Sequence, residues 1–150
     1  MRFRLFGLAR DERGTSLIEF GFLAPFLALL TMGIIDLSRG LAERFALQQA
    51  VSRGLELVQA RPAVAAANSN TVSYEFVRNE VASSADVPVG QVILTRWLEC
   101  DGEDAGDVSN TCPAGAAASR YLRVRVTKDF EAEFYFATIP MAATGTLRTQ

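Results

Sequence analysis

Glu19 occupies the most demanding position in this chain. It stands just inside an apolar stretch, Leu17–Leu37, in which no charge occurs from Phe20 to Ile35. A carboxylate there costs a few kcal/mol unless a cation meets it, so the chemistry to expect is an acid seeking a positive partner. The other reading keeps Glu19 at the membrane edge with its head in the lipid interface. Cys100 and Cys112 form a second candidate pair, with eleven residues between them and with Gly102, Gly106 and Pro113 giving the chain freedom to turn. In an oxidising compartment they would form a disulfide worth about 3 kcal/mol on the chain-entropy account; the alternative is two buried free thiols. Asp101, Glu103, Asp104 and Asp107 carry the charge of a calcium loop. They lack the alternating ligand spacing and twelfth-position glutamate of an EF-hand, and read as a solvated acidic loop. Arg120, Arg123 and Arg125 gather on one strand without aromatic platforms, which suits protection of a sheet edge better than nucleic-acid binding.

Composition closes most other routes. The chain has 150 residues and no histidine. That removes the commonest general base, the commonest metal ligand and every Ser-His or Cys-His nucleophile. Two cysteines without histidine cannot complete a zinc site. Fifteen basic residues nearly balance seventeen acidic ones, so no single-sign field gathers nucleic acid. A carboxylate-only enzyme needs two acids at a set separation in a cleft, and nothing singles out such a pair. No catalytic residue, metal or cofactor is expected.

The elements that must position these residues follow from periodicity. Sixteen uncharged residues, extended by Leu17 and Ile18 beyond Glu19, approach the roughly 20 that a membrane helix needs. Arg2, Arg4, Arg10 and Arg13 precede the segment against Asp11 and Glu12, which places the N-terminus in the cytoplasm and the remainder outside. After Met32 the sequence GIIDLSRGLAERF offers no convincing small-x-small cleavage site. Beyond it Leu37, Leu41, Phe45, Val51, Leu55 and Val58 recur every three or four residues apart from a gap at Gln48, so the helix continues as an amphipathic half that lays this stripe on something outside. It should run from about Thr15 to Ala60 and stop before Pro62. Pro62–Asn70 reads as a connection, Thr71–Ser84 as a second amphipathic helix, and Asp86–Gly90 as a turn. Gln91–Leu98 reads as a strand, Asp101–Gly115 as loop, and Tyr121–Thr127 as a strand covered on one side. Asp129–Phe136 and Thr144–Arg148 are weaker strands with Pro140 as a break between them. The expected architecture is α+β: a long N-terminal helix, membrane-spanning in its first half and amphipathic in its second, packed on a small antiparallel sheet.

The run Arg13-Gly14-Thr15-Ser16-Leu17-Ile18-Glu19-Phe20 resembles the processing site of type IV prepilins, which have a short basic leader ending in glycine and a glutamate at the fifth mature position. The Glu19-Phe20 pair is similar to that of the tight-adherence (Tad/Flp) pilus branch. The C-terminal half looks like the TadE-like minor pilins, with a cysteine after one strand, a second before another, a strand such as YLRVRVTKDF at 121–130 and a closing strand such as TGTLRT at 144–149. The resemblance is strongest at 13–37 and 120–148.

The resemblance implies a type IV pilin-like fold divided into a leader (1–14), a membrane and pilus-core helix segment (15–37), an exposed helical continuation (38–61) and an extracytoplasmic head (62–150). It implies cleavage between Gly14 and Thr15 by a prepilin peptidase, with Glu19 and Phe20 setting subunit register. Partners would be other pilin subunits, the Tad assembly platform, the peptidase and membrane lipid, with no nucleic acid. The place would be the bacterial inner membrane as a single-pass protein with a periplasmic head, and the extracellular pilus after assembly. Two other readings share parts of the pattern. A type II secretion pseudopilin would carry phenylalanine where Thr15 stands, and a signal-anchored periplasmic binding module would leave Glu19 incidental.

Overall fold

The computed structural model describes residues 13–60, 74–134 and 138–149, with side chains described from residue 17 onward. The expectations for leader residues 1–12, the connection 62–70, the start of the second helix at 71–73 and strand residues 135–137 lie outside the described residues.

A 47-residue helix, α1 (Arg13–Gln59), comes first and is about 70 Å long at 1.5 Å per residue. It is followed by α2 (Glu75–Ala85), a 3-10 turn (Val89–Gln91) and four strands: β1 (Val92–Cys100), β2 (Glu103–Gly106), β3 (Ala118–Glu131) and β4 (Thr138–Arg148). The strands form one antiparallel sheet in the order β2-β1-β3-β4. A long N-terminal helix packed on a small antiparallel sheet is the α+β layout the patterning implies.

The two halves of α1 meet different surroundings. From Leu17 to Ile35 the large apolar side chains are exposed, Phe22 at 79%, and the most apolar window has no part buried inside the chain. A core helix of a soluble protein would be covered, so the first half is a helix long and apolar enough to cross a membrane. The Thr31 and Ser38 hydroxyls donate to the carbonyls of Leu27 and Ile34, each at 2.7 Å, so neither polar group asks for water. The second half is buried along Asp36, Gly40, Leu47, Ala50, Val51, Gly54 and Val58. These residues lie at helical spacing on one face.

The register explains what covers that face. Val92 stands opposite Val126 and Leu94 opposite Val124, while β4 sets Leu122, Val124 and Val126 beside Leu147, Gly145 and Ala143. The alternation in β3 therefore sends its valines to one face, where they join Leu47, Val51 and Val58 of α1 and Val77 and Val81 of α2 in a single core. Two close approaches require glycine. A Cβ on Gly145 would stand 2.6 Å from Val51 Cγ1 and 2.8 Å from Leu55 Cδ1, and one on Gly54 would collide with Val81. α2 ends on Asp86 in the left-handed region (φ 52°), with the Val87 N–H donating to the Ala82 carbonyl at 3.0 Å, a closure that Asp tolerates better than most residues.

Four expectations need correction. Leu37, Leu41 and Phe45 do not face the sheet. They are 64%, 46% and 58% exposed, because the face that docks is the one carrying Gly40, Leu47 and Gly54. The acidic segment is not all loop, since Glu103–Gly106 pairs with the end of β1. Pro140 does not break a strand. It sits inside β4 opposite Asp129, on an edge strand where its missing N–H need leave no neighbour unpaired. Finally, residues 129–131 of the expected separate strand Asp129–Phe136 are the end of β3.

Candidate functional site

Three places hold the residues singled out by type: the start of α1, the point where its apolar half ends, and the far end of β1.

At the start, the Gly14–Thr15 bond lies in the first turn of α1. The N–H groups of a first turn have no intrahelical acceptors, so this backbone is the least held part of the helix. Glu19 and Phe20 are one turn on and exposed, Phe20 at 65%. Among the described residues Glu19 meets no hydrogen-bond or ion-pair partner. A carboxylate so placed among exposed phenylalanines and leucines is available to a cation from outside the chain.

The end of the apolar half carries a residue that sequence reasoning passed over. Asp36 is 5% exposed and, among the described residues, is the buried charged side chain. Its Oδ1 accepts the backbone N–H of Glu133 at 3.1 Å and its Oδ2 that of Phe134 at 3.0 Å. Hydrogen bonds to an ionised acceptor are among the stronger ones, so this carboxylate ties the turn between β3 and β4 to the helix. Arg39, one turn further, forms an ion pair with Glu133. Lys128 Nζ on β3 then meets Glu43 at 3.0 Å and the Ala85 carbonyl at 3.3 Å, a cation at the C-terminus of α2 where the helix dipole favours it. Asp36, Arg39 and Glu43 thus follow one another up α1 and fix it to the head. The one signal for Asp36 was its position as the first charge after the uncharged run.

At the far end of β1, Cys100 and Cys112 are bonded, with Cα atoms 5.6 Å apart. The acidic side chains nearby are occupied with turn-making. Asp101 accepts from the Ala117 N–H, Asp104 from the Gly106 N–H and Asp107 from the Ser109 N–H, at 2.9, 2.7 and 2.9 Å. Asp104 and Asp107, each accepting from the N–H two residues on, form Asx-type turns, while Asp101 bridges across the loop to Ala117.

One of the β3 arginines, Arg123, does have an aromatic neighbour, contrary to the sequence reading. Trp97 stands opposite Tyr121 in the ladder, and their rings stack at 5.1 Å with 12° between planes. The Arg123 guanidinium lies 4.7 Å from the Trp97 ring centre, and the Trp97 N–H donates to Glu99 at 2.9 Å. The strand pairing created this platform, which strand-by-strand reading could not see. Its rings cover one another, as cross-strand pairs that stabilise a sheet do. Arg120 belongs to the opposite face, in register with Leu98.

Residues 14–55 match the family model of TadE-like proteins. The matched stretch contains Gly14, Thr15, Glu19, Phe20 and Asp36 and stops before α2, so it is α1 that is TadE-like. No curated protein and no solved structure matches the chain.

Proposed function

We propose that this chain is a TadE-like minor pilin (pseudopilin) of a tight-adherence pilus, an assembly component without catalytic activity. The observation that carries the reading is the TadE-like match over residues 14–55, on a helix whose apolar first half has no cover inside the chain. An apolar helix of that length needs lipid or the helices of other subunits around it, and a pilin moves from the one to the other. In this reading a prepilin peptidase cuts after Gly14, α1 holds the protein in the inner membrane with its N-terminus cytoplasmic, and the head lies in the periplasm. Cleavage frees the Thr15 amine. The Glu19 carboxylate of one subunit then pairs with the Thr15 amine of a neighbour, each offsetting the burial of the other, and this fixes the axial register that smooth apolar helices leave free. An oxidised Cys100–Cys112 pair supports the periplasmic placement, because thiols persist reduced in the cytoplasm.

The test is the N-terminus of the mature protein. Cells containing the peptidase should yield a chain that begins at Thr15, and Gly14→Val should leave the longer precursor. Cleavage that continues unchanged in Gly14→Val would sink the processing assignment. A mature chain that begins at Met1 would instead make α1 a signal anchor.

A further inference from the structure

We infer that Phe134 and Ile139, the described residues near the end of β3 and the start of β4, form a second lipid contact in the outer interface of the membrane beside the point where α1 leaves it. This rests on the reading of Leu17–Ile35 as a membrane span. Those nineteen residues cover about 28 Å at 1.5 Å per residue, against a hydrocarbon thickness near 30 Å. Asp36, the next residue, therefore lies at the level of the interface. The Glu133 and Phe134 amides donate to its carboxylate at 3.1 and 3.0 Å, so the turn stands at that same level. The head cannot tilt its β3–β4 end away from the membrane without breaking both bonds.

Two of the described residues brought to the interface are apolar. Phe134 is 38% and Ile139 47% exposed, next to a span whose last residues, Ile34 and Ile35, are 54% and 42% exposed. Single exposed apolar residues on a soluble surface need no explanation, but these two continue the edge of a helix that itself needs lipid. Between Ile139 and α1 opens a groove of about 330 Å³ whose walls are mainly apolar, among them Leu37, Leu41, Phe130 and Met141, with Asp36 and Arg44 also on its lining. Lipid chain ends would meet the apolar walls, and the Arg44 guanidinium suits a lipid phosphate at the headgroup level. Two of the charges near this level are matched, Arg39 by Glu133 and Asp36 by two amides. An aromatic ring at the headgroup boundary is a common membrane anchor.

Single-tryptophan variants of the full-length chain test this in vesicles of phosphatidylethanolamine and phosphatidylglycerol, with and without brominated phosphatidylcholine. In a Trp97→Phe background, tryptophan is introduced by Leu27→Trp in the span, Phe134→Trp in the turn and Thr95→Trp on the outer face of the sheet. Near-ultraviolet circular dichroism and a retained disulfide confirm that each head is folded. The expected result is blue-shifted emission and bromine quenching at positions 27 and 134, with neither at 95. Quenching at 27 but not at 134 overturns the lipid contact while leaving the span intact. Emission at 134 that is blue-shifted yet unquenched means that the head itself or a second copy of the chain covers position 134, which also overturns it. No quenching at 27 removes the span reading itself, and the inference falls with it.

Discussion

The two halves of α1 are one continuous helix, the first apolar all round and the second amphipathic, and they are built for different neighbours. Along Leu17–Ile35 leucine, isoleucine and phenylalanine point all round, and Gly21 has nothing within 4 Å of where a side chain would be. Along Asp36–Gln59 one face is stripped to Gly40, Ala50 and Gly54, with Leu47, Val51 and Val58 between them, and at Gly54 a single added carbon would strike Val81. The difference teaches that hydrophobicity decides whether a helix is buried, and side-chain size decides against what. Large, even coverage suits lipid and adaptable contacts. Small residues let a sheet and a second helix approach to van der Waals distance. The change from one regime to the other falls at Asp36, where polar ties begin.

The largest expected effect belongs to the first half. Glu19→Ala should leave membrane insertion intact, since removing a charge makes the segment more apolar. Assembly should suffer by roughly 3–5 kcal/mol, because a neighbour's amine would be left buried alone. Co-purification with pilin partners, run beside membrane fractionation, reads both. Wild-type amounts of complex would make Glu19 an interfacial carboxylate and erase its special status in the comparison.

Asp36→Ala is the corresponding change at the boundary. Two backbone N–H groups lose a charged acceptor, at about 1.5–3 kcal/mol for each such bond and somewhat less once water enters. The loss should be local. Hydrogen exchange at the Glu133 and Phe134 amides should accelerate by about a hundredfold, equivalent to nearly 3 kcal/mol at 1.4 kcal/mol per tenfold, while amides of β3 near Val124 keep their protection. Unchanged exchange at 133 and 134 would show that the turn is held by something else.

How much of this was legible in the sequence depends on the range of the interaction involved. Both helices and the strand at 121–127 were visible because their apolar periods are local. The bonding of Cys100 to Cys112 was expected from the reading that places the head outside the cytoplasm, where thiols are oxidised. The docking face of α1 was not. Leu37, Leu41 and Phe45 repeat as regularly as the residues that pack, and a periodic pattern cannot say which of two apolar faces a sheet prefers. Asp36 read as an end signal because its partners are backbone amides 97 and 98 residues away, which no local pattern encodes. Strand β2 has no apolar alternation and forms by pairing with the end of β1, where glycines at φ 87° and 83° let the chain turn back. The Trp97–Tyr121 stack needed the register of two strands before it existed at all. Gly14, Glu19 and Phe20 form a linear pattern within the matched stretch, whereas the ties that hold the head to the helix are tertiary.

A pair of identical substitutions sharpens the contrast in packing. Gly54→Ala should destabilise the head by about 1–3 kcal/mol through overpacking against Val81, partly offset by about 1 kcal/mol of helix propensity. Gly21→Ala meets open space and should leave the stability of the isolated chain unchanged or slightly raised. Denaturant titration of the detergent-solubilised protein, followed at Trp97, measures the first. Equal effects at 54 and 21 would mean that the two halves do not differ in packing as described.

The smallest expected effect tests whether charge or hydrogen bonding holds the boundary. Arg39 and Glu133 form an ion pair beside Asp36, but their side chains are 53% and 61% exposed. Exposed pairs contribute about 0–1 kcal/mol after solvent screening and the entropy of holding two long side chains. Arg39→Ala should therefore change exchange at the 133 and 134 amides by about fivefold at most, since 1.4 kcal/mol is tenfold and the pair is worth less than that. Its effect should fade when salt is raised toward 1 M, where the screening length is about 3 Å. Asp36→Ala should show no such salt dependence, because the bonds it removes run to neutral amides at a buried carboxylate. A loss at Arg39→Ala as large as that at Asp36→Ala, and abolished by salt, would reverse the assignment. The turn would then be held by surface charge, and the boundary between the two halves of α1 would be an electrostatic one that ionic strength could open.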